Sequence, residues 1–426
     1  MKVLVVGSGG REHALCEAFA RSSRVSDVFC APGNAGITQV AARVAIAADN
    51  IEELAEFANA EKIDLTFVGG ETALALGIVD VFAAKGLRVI GPTRKAAQLE
   101  SSKAFAKDFM ARHDIPTARY AVAGSTALAV SILESGDLGG PETPVVVKAD
   151  GLAAGKGVVV ARDRSEAILA CGDLETTVGA AASEKIVLEE CLVGKEISLL
   201  LFASGDDFAM MPATRDHKRI GDGDTGPNTG GMGAITDPSL LSAEMTADIV
   251  RRIVEPTLRG CIRDGFPFRG ILFIGLMITA EGPKVLEYNV RFGDPETQAI
   301  LVRLETDLAV ICEAMLGTSA LSSLDIRWKP GSSACVVLAA EGYPAKPRTG
   351  DRISGLDAAA ARDIVSIFHA GTAEDDRGEF VTSGGRVLGV TATGPDLTTA
   401  LAHAYAAVSE ISWPGVQYRK DIGKTR

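Results

Sequence analysis

Residues 144–160 set a Val-rich run ending in Lys148, the loop Asp150-Gly-Leu-Ala-Ala-Gly-Lys-Gly157 and a second run, Val158-Val-Val160, one after another. Valine runs of this length form strands, so the glycines and Lys156 belong at the tip of a β-hairpin. A phosphate-binding P-loop has similar composition but opens a helix with Gly-Lys-Ser/Thr. Here Lys156 is followed by Gly157 and a strand. Glycine lets backbone N–H groups approach an anion closely, and Lys148 and Lys156 supply charge. The pattern predicts a glycine-bearing hairpin that closes over a triphosphate.

The chain has 426 residues, which at roughly 100–200 residues per domain predicts two to four domains. A charged fraction of 23% beside 47% apolar residues is that of a soluble globular protein. The net charge of −12 argues against non-specific binding to nucleic acid or to anionic membranes, though a local basic pocket remains compatible with an anionic substrate. Seven scattered cysteines with no CxxC pair predict reduced, buried thiols rather than a disulfide or zinc framework. The first residues run straight into a strand pattern, and no apolar run reaches membrane-spanning length. The expectation is a cytoplasmic protein with no signal peptide.

Residues 1 to about 100 alternate strand patterns (2–6, 25–30, 64–68, 88–90) with helical ones (12–21, 51–60, 73–84), which predicts a doubly wound parallel sheet. A helix over 104–113 follows, then the hairpin, strands at 185–190 and 197–202, and a polar loop over 214–233. Beyond it come a helix near 243–263 and two apolar strands, 270–279 and 284–289. Trp328-Lys-Pro-Gly331 reads as a linker to a mixed terminal unit with strands at 333–339 and 387–393 and a helix over 397–411. The domains expected are 1–102, 103–327 with a lid subdomain at about 119–191, and 328–426.

Three constellations carry chemistry. Gly7-Ser-Gly-Gly-Arg11-Glu-His13 follows a strand and opens a helix, where amides and dipole favour an anion. The dinucleotide fingerprint wants a third glycine where Glu12 stands, and the second strand ends without an acidic residue for a ribose. Arg11 beside two glycines suits a single phosphate; the plain alternative is a strand-to-helix turn. Glu287-Tyr-Asn289 ends an apolar strand, and residues i and i+2 share a face, which sets a carboxylate beside an amide oxygen, both suited to Mg²⁺. The blander alternative is that Glu287 caps the strand and pairs with Arg291. Asp216-His-Lys-Arg219 opens the long loop, where three basic residues beside an aspartate suit the clamping of a carboxylate or phosphate. His217 is a possible general base there.

With Gly9-Gly-Arg-Glu-His13, Pro32-Gly-Asn-Ala-Gly36, Lys148 to Gly157, Asp216-His-Lys-Arg219, Asp224 to Gly233, Arg291-Phe-Gly-Asp-Pro-Glu296, His369-Ala-Gly-Thr372 and Arg419-Lys-Asp-Ile-Gly423, the chain resembles the ATP-grasp ligases. Within them it resembles the phosphoribosylamine–glycine ligases, over essentially its whole length. The resemblance implies an N-terminal parallel sheet, an ATP-grasp domain with a mobile lid and a small C-terminal α+β domain. It implies phosphorylation of glycine by ATP and capture of glycyl phosphate by the amine of 5-phosphoribosylamine, in purine biosynthesis.

By the same resemblance, Lys103, Lys148, Gly155, Lys156 and Gly157 would meet ATP phosphates, and Glu189, Leu192 and Glu196 would line the adenosine pocket. Glu287 and Asn289 would carry Mg²⁺ or Mn²⁺. Arg291, with Asp216 and Lys218, would hold glycine and the charge of the transition state. Gly9, Gly10, Arg11, Asn34 and Glu71 would meet phosphoribosylamine. A monomer is implied. The chain departs from the pattern in a short stretch over 174–184 and in lacking a carboxylate on the strand before Glu287. Rival readings are another ATP-grasp carboxylate–amine ligase or carboxylase, a non-catalytic nucleotide-binding protein and a nicotinamide oxidoreductase.

Overall fold

The first strand, β1 (Lys2–Gly7), is a continuous apolar run because helices cover both its faces, as in a parallel sheet. The computed structural model describes residues 1–152, 157–179 and 184–424. Around β1 the N-terminal unit builds α1 (Gly10–Ala20), β2 (Asp27–Pro32), β3 (Ala42–Arg43), α2 (Ile51–Ala60), β4 (Leu65–Val68), α3 (Glu71–Leu76), α4 (Ile78–Ala84) and β5 (Val89–Ile90). The strands pair in parallel in the order β3-β2-β1-β4-β5, the doubly wound sheet expected. The order reverses between β1 and β4, so the loops leaving these two strands splay apart and open a crevice. The single helix predicted over 73–84 is two, divided at Gly77, whose φ of 93° ends α3 in the left-handed conformation.

Two helices, α5 (Gln98–Ser101) and α6 (Lys103–Arg112), lead into the next unit. Its elements are β6 (Tyr120–Ala123), α7 (Thr126–Ser135), β7 (Val145–Ala149), β8 (Val158–Ala161), α8 (Arg164–Val178) and β9 (Ile186–Glu190). The strands form a separate antiparallel sheet in the order β6-β9-β7-β8, with α7 and α8 packed on one face through Ala129, Leu133, Ala167 and Cys171. Val145 pairs with Ala161 and Lys148 with Val158, so the Val-rich runs do form the two arms of a hairpin. The hairpin tip, including Gly155 and Lys156, lies outside the described residues, as do 180–183 of the short stretch.

The largest sheet begins with β10 (Lys195–Ser204), β11 (Asp207–Met210) and β12 (Thr214–Asp216). The predicted polar loop over 214–233 is in fact structured: it holds β12, the hairpin β13 (Arg219–Gly221) with β14 (Thr225–Asn228), and β15 (Gly233–Thr236). Glycine at 221, 223 and 226 permits that tight ribbon, although it erases the alternation that would advertise one. The helix predicted near 243–263 is α9 (Ala243–Ile249) and α10 (Glu255–Arg263) joined by a π-helical stretch, Val250–Val254, just before Pro256. Proline cannot donate the next helical bond, so the ladder widens ahead of it.

Strands β16 (Arg269–Thr279) and β17 (Gly282–Asn289) complete one edge, followed by α11 (Glu296–Leu301) and α12 (Leu308–Met315). The C-terminal unit comprises β18 (Ser332–Ala339), α13 (Leu356–Ala360), β19 (Val365–His369), β20 (Thr372–Glu374), β21 (Phe380–Thr382), β22 (Arg386–Gly394) and α14 (Leu397–Val408). The sheet runs unbroken from β17 to β19, and it crosses the 328 linker region by pairing β15 with β18. The N-terminal and central units also share apolar clusters, so the crevice above β1 and β4 faces the central sheet across packed protein.

Candidate active site

Where the N-terminal crevice, the lid sheet and the end of β17 converge there is a cavity of about 1040 Å³. A β-bulge aims its floor. Gly275 pairs with Glu287 and Leu276 with Val285, so Leu286 is an extra residue on β17. The shift lets Val285 and Tyr288 both point into the core, where Tyr288 shares a hydrogen bond of 2.7 Å with Thr257. Glu287 and Asn289 are left facing the cavity. The bulge also frees the Leu286 carbonyl, which accepts from Lys148 Nζ at 3.2 Å.

At the lid end, Lys103 opens α6. The carboxylate of Asp150 accepts from the Ala104 N–H at 2.7 Å and from Ser102 Oγ at 3.0 Å, and Lys103 Nζ donates to the Gly151 carbonyl. Asp150 therefore fastens the root of the glycine hairpin to a helix N-terminus. Glu189, only 2% exposed, does not offer a free carboxylate to a nucleotide edge. Lys148 holds one oxygen at 2.7 Å and Lys107 the other at 2.9 Å. Two lysines thus occupy the carboxylate expected beside the adenosine, because a buried charge needs partners. Lys107 was not foreseen. It lies one helical turn beyond Lys103, donates to Thr117 at 2.7 Å, and burial pushes its pKa down to about 8 against the pull of Glu189. Leu192 and Gly157 line the cavity, and Glu196 lines it as the ion-pair partner of Lys218.

Burial acts most strongly on Glu287 and would raise its pKa, but Lys218, Lys148, Lys103 and Arg291 together hold it below the usual carboxylate value. One ionised carboxylate ringed by four cations is a poor cation trap alone and a good site for a polyanion that brings its own cation. Asn289 Oδ1 accepts from Arg291 Nη2 at 3.1 Å. Beside Glu287 on β16 stands Gly275, where a Cβ would lie 3.2 Å from Glu287 Cγ. Among the described residues no group of three or more His, Cys, Asp or Glu side chains forms a ready-made metal cage.

Arg291 does not pair with Glu287. It bridges to Glu71 at 3.1 Å and to the buried Glu100 at 2.6 Å. Burial raises the pKa of Glu100 against the attraction of Arg291. Glu71 opens α3 just after β4 and Arg11 lies in the first turn of α1 just after β1, so the strand-order reversal brings both to the cavity.

The remaining expected acceptor residues are not brought there. Gly9 donates its N–H to the Glu12 carboxylate at 2.6 Å, and Glu12 also takes Arg11 Nε at 2.6 Å. A Cβ at Gly7 or Gly69 would fall 2.6 or 2.1 Å from Glu12. The glycines that suggested an external phosphate thus make room for the helix's own capping carboxylate. A Cβ at Gly10 would sit 2.6 Å from Gln298 Nε2, so that glycine serves helix packing. Asn34 is engaged within the protein. Its Oδ1 caps Ile37 N, and its Nδ2 donates to the carbonyls of Ser8 and His369, both at 2.8 Å. It ties the N-terminal unit to the C-terminal one.

Asp216, at the end of β12, and Lys218, two residues beyond it, border the cavity. Burial raises the pKa of Asp216 to about 6 against the pull of Lys218. Glu296, buried on α11, is pushed up to about 8 by burial and by Asp216. Its motif was visible in the sequence, its burial was not. His217 is turned to the C-terminal segment: its Nε2 accepts from the Gly423 N–H at 3.2 Å, and burial beside Arg419 and Arg215 lowers its pKa to about 4. Arg386, from the C-terminal unit, reaches the same cavity and donates to the Asp294 carbonyl at 2.6 Å, with nothing in the sequence to mark it.

Family models of phosphoribosylglycinamide synthetase match this chain in three parts: the N domain at residues 1–100, the ATP-grasp (A) domain at 101–297 and the C domain at 333–425. A phosphoribosylamine–glycine ligase of Xanthomonas axonopodis pv. citri is 50% identical over 99% of this chain and 97% of its own length. One from Pseudomonas aeruginosa is 48% identical over the same shares. The crystal structure of phosphoribosylamine–glycine ligase from Thermotoga maritima superposes with a TM-score of 0.83 at 34% identity, covering 99% of this chain and 100% of that one. The biotin carboxylase domain of the Hydrogenobacter thermophilus 2-oxoglutarate carboxylase, solved with MgADP, shares the fold at a TM-score of 0.75 and 17% identity, over 98% and 91% of the two chains. The chain belongs to the phosphoribosylglycinamide synthetase family of ATP-grasp proteins.

Proposed function

We propose that the cavity joins glycine to 5-phosphoribosylamine at the expense of ATP, giving glycinamide ribonucleotide, ADP and phosphate in purine biosynthesis. Family membership over the full chain supports the reaction. The observation that carries it to this site is the convergence, in one cavity, of a lysine-lined lid end, the Glu287–Asn289 pair and an arginine-bearing acceptor end. A glycine carboxylate oxygen attacks the γ-phosphorus and ADP leaves. The amine nitrogen then attacks the acyl carbon, phosphate leaves, and the nitrogen gives up a proton. Both partners in the first step are anions, so the protein's task is to neutralise charge and hold the in-line approach.

Lys103 and Lys148 face the phosphates in this reading, with Lys148 aimed by Glu189 and Leu286; Gly155, Lys156 and Gly157 are assigned to the same phosphates. Leu192 and Glu196 border the adenosine. Arg291, Asp216 and Lys218 hold glycine, the arginine and lysine meeting its carboxylate and Asp216 its ammonium. Arg11 and Glu71 meet phosphoribosylamine. A divalent cation, Mg²⁺ or Mn²⁺, held at Glu287 and Asn289 would neutralise phosphate oxygens. The same reading carries the expectation of a cytoplasmic monomer built from the domains 1–102, 103–327 and 328–426. No helix among the described residues is long and apolar enough to cross a membrane.

A different ATP-grasp carboxylate–amine ligase would keep the Glu287–Asn289 floor and change the acceptor. An ADP-release assay with phosphoribosylamine generated in situ separates the two. Turnover that stops when glycine alone is omitted supports the assignment. Turnover with glycine absent and another carboxylate present refutes it.

A further inference from the structure

Strand alternation divides the residues around β12 between two sides. Asp216 and Lys218 feel Glu196 and Glu287 across the cavity. The intervening Arg215 and His217 meet the C-terminal segment instead: Arg215 Nη2 donates to the Gly423 carbonyl at 2.9 Å, and the Gly423 N–H donates to His217 Nε2. The sheet holds this turn from one side: β12 pairs with β15 from Thr214 to Asp216, and the backbone of His217 and Lys218 continues that ladder to Gly233, Met232 and Thr229. On the other side β12 pairs with β10 only at Ser198–Thr214, and the chain then enters the β13–β14 hairpin, a separate two-stranded sheet.

Arg419 holds the hairpin beyond that ladder. Its guanidinium, in a residue 1% exposed, grips both oxygens of Asp421 at 2.7 and 2.8 Å. It also grips the hairpin, through Asp224 Oδ1 at 2.7 Å and the Arg219 carbonyl at 3.2 Å. Asp421 accepts from the Gly223 N–H at 2.8 Å, and the Lys420 N–H donates to Asp222 at 2.7 Å. The segment is itself anchored from behind. Tyr405 OH donates to the Arg419 carbonyl at 2.8 Å and accepts from the Ile422 N–H at 3.1 Å, and Ile422 is buried in the C-terminal core.

We propose that Arg419–Gly423 is a positioning segment for the reaction: it fixes the turn bearing Asp216 and Lys218, and thereby aligns the substrate carboxylate with the phosphoryl donor. Arg419 does not line the cavity and acts through Asp224 and Arg219, while Gly423 meets His217. The inference rests on the reading that Asp216 and Lys218 hold glycine.

The test is steady-state kinetics of the full-length enzyme carrying Arg419→Lys, Asp224→Asn or Asp216→Asn, with glycine and ATP varied separately. Lysine keeps the charge but loses the fork, so the glycine KM is expected to rise about tenfold while the ATP KM stays within about twofold. Asp224→Asn, which alters an exposed partner of Arg419, moves the glycine KM the same way by less and keeps the test open if Arg419→Lys does not fold. A merely structural role lowers the amount of active enzyme and leaves both KM values alone. A parental glycine KM in Arg419→Lys and Asp224→Asn, beside a raised one in Asp216→Asn, overturns the positioning role. A parental glycine KM in Asp216→Asn overturns the glycine reading instead, and the positioning role with it.

Discussion

The two ends of the cavity are built on different plans. The lid end is compact: Lys103 and Lys107 share one helix, Glu189 and Lys148 adjacent strands of one sheet, and Asp150 ties that sheet's hairpin to the helix. The acceptor end is assembled from distant pieces, with Arg11 from α1, Glu71 from α3, Arg291 after β17, Asp216 from β12 and Lys218 just after it, and Arg386 from the C-terminal unit. The two ends meet at Glu287, which feels Lys148 and Lys103 from one and Lys218 and Arg291 from the other. The biotin carboxylase domain solved with MgADP shares the fold at 17% identity.

The largest effect is expected where the two ends meet. Glu287→Ala should leave the melting profile intact and cost about 10³-fold or more in kcat, because four cations lose their common carboxylate. Ordinary activity in that variant removes Glu287 from the chemistry.

Arg291→Lys probes the acceptor end. A lysine cannot bridge Glu71, Glu100 and Asn289 at once, so kcat should fall by about 10²-fold while the ATP KM changes little. An equal loss in both parameters would mean that the two ends are not separable.

Lys107→Met probes the lid end. It leaves Glu189 with one lysine in a buried site and should cost about 3 kcal/mol in chemical denaturation. The ATP KM should rise and the glycine KM hold, since the change misaims Lys148.

The smallest expected effect concerns the N-terminal to C-terminal contact behind the acceptor end. His369 N–H donates to His13 Nδ1 at 2.9 Å, and burial lowers the pKa of the two imidazoles to about 4 and about 3. Both are neutral in the fold, whereas in the unfolded chain they take up protons below about pH 6.5. Their contribution is therefore complete above pH 6.5 and is lost as pH falls towards 4. His369→Gln should flatten that slope in melting temperature against pH; an unchanged slope shows that other groups set the acid limit.

Much of the fold was legible because it is written in periodicity: apolar runs for the parallel strands, valine runs for the hairpin arms. That Lys148 ends a hairpin arm and that Glu287 and Asn289 share a face of a strand could be read from local strings for the same reason. What stayed hidden depends on residues far apart in the chain. Glu12 fills a space vacated by Gly7 and Gly69 at the ends of two strands, and the sequence alone shows only glycines that suggest a phosphate. The partnership of Lys107 with Glu189, and of Asn34 with the His369 carbonyl, needs the folded chain. The bulge at Leu286 is likewise a matter of register between two strands, with no mark in either.

The most direct measurement is a crystal structure of the full-length protein with a non-hydrolysable ATP analogue, Mg²⁺ and glycine. The account predicts the terminal phosphoryl bridged by the cation to Glu287 and Asn289, with the glycine carboxylate beside it between Arg291 and Lys218. A nucleotide lodged elsewhere, with Glu287 far from any phosphoryl oxygen, would contradict it.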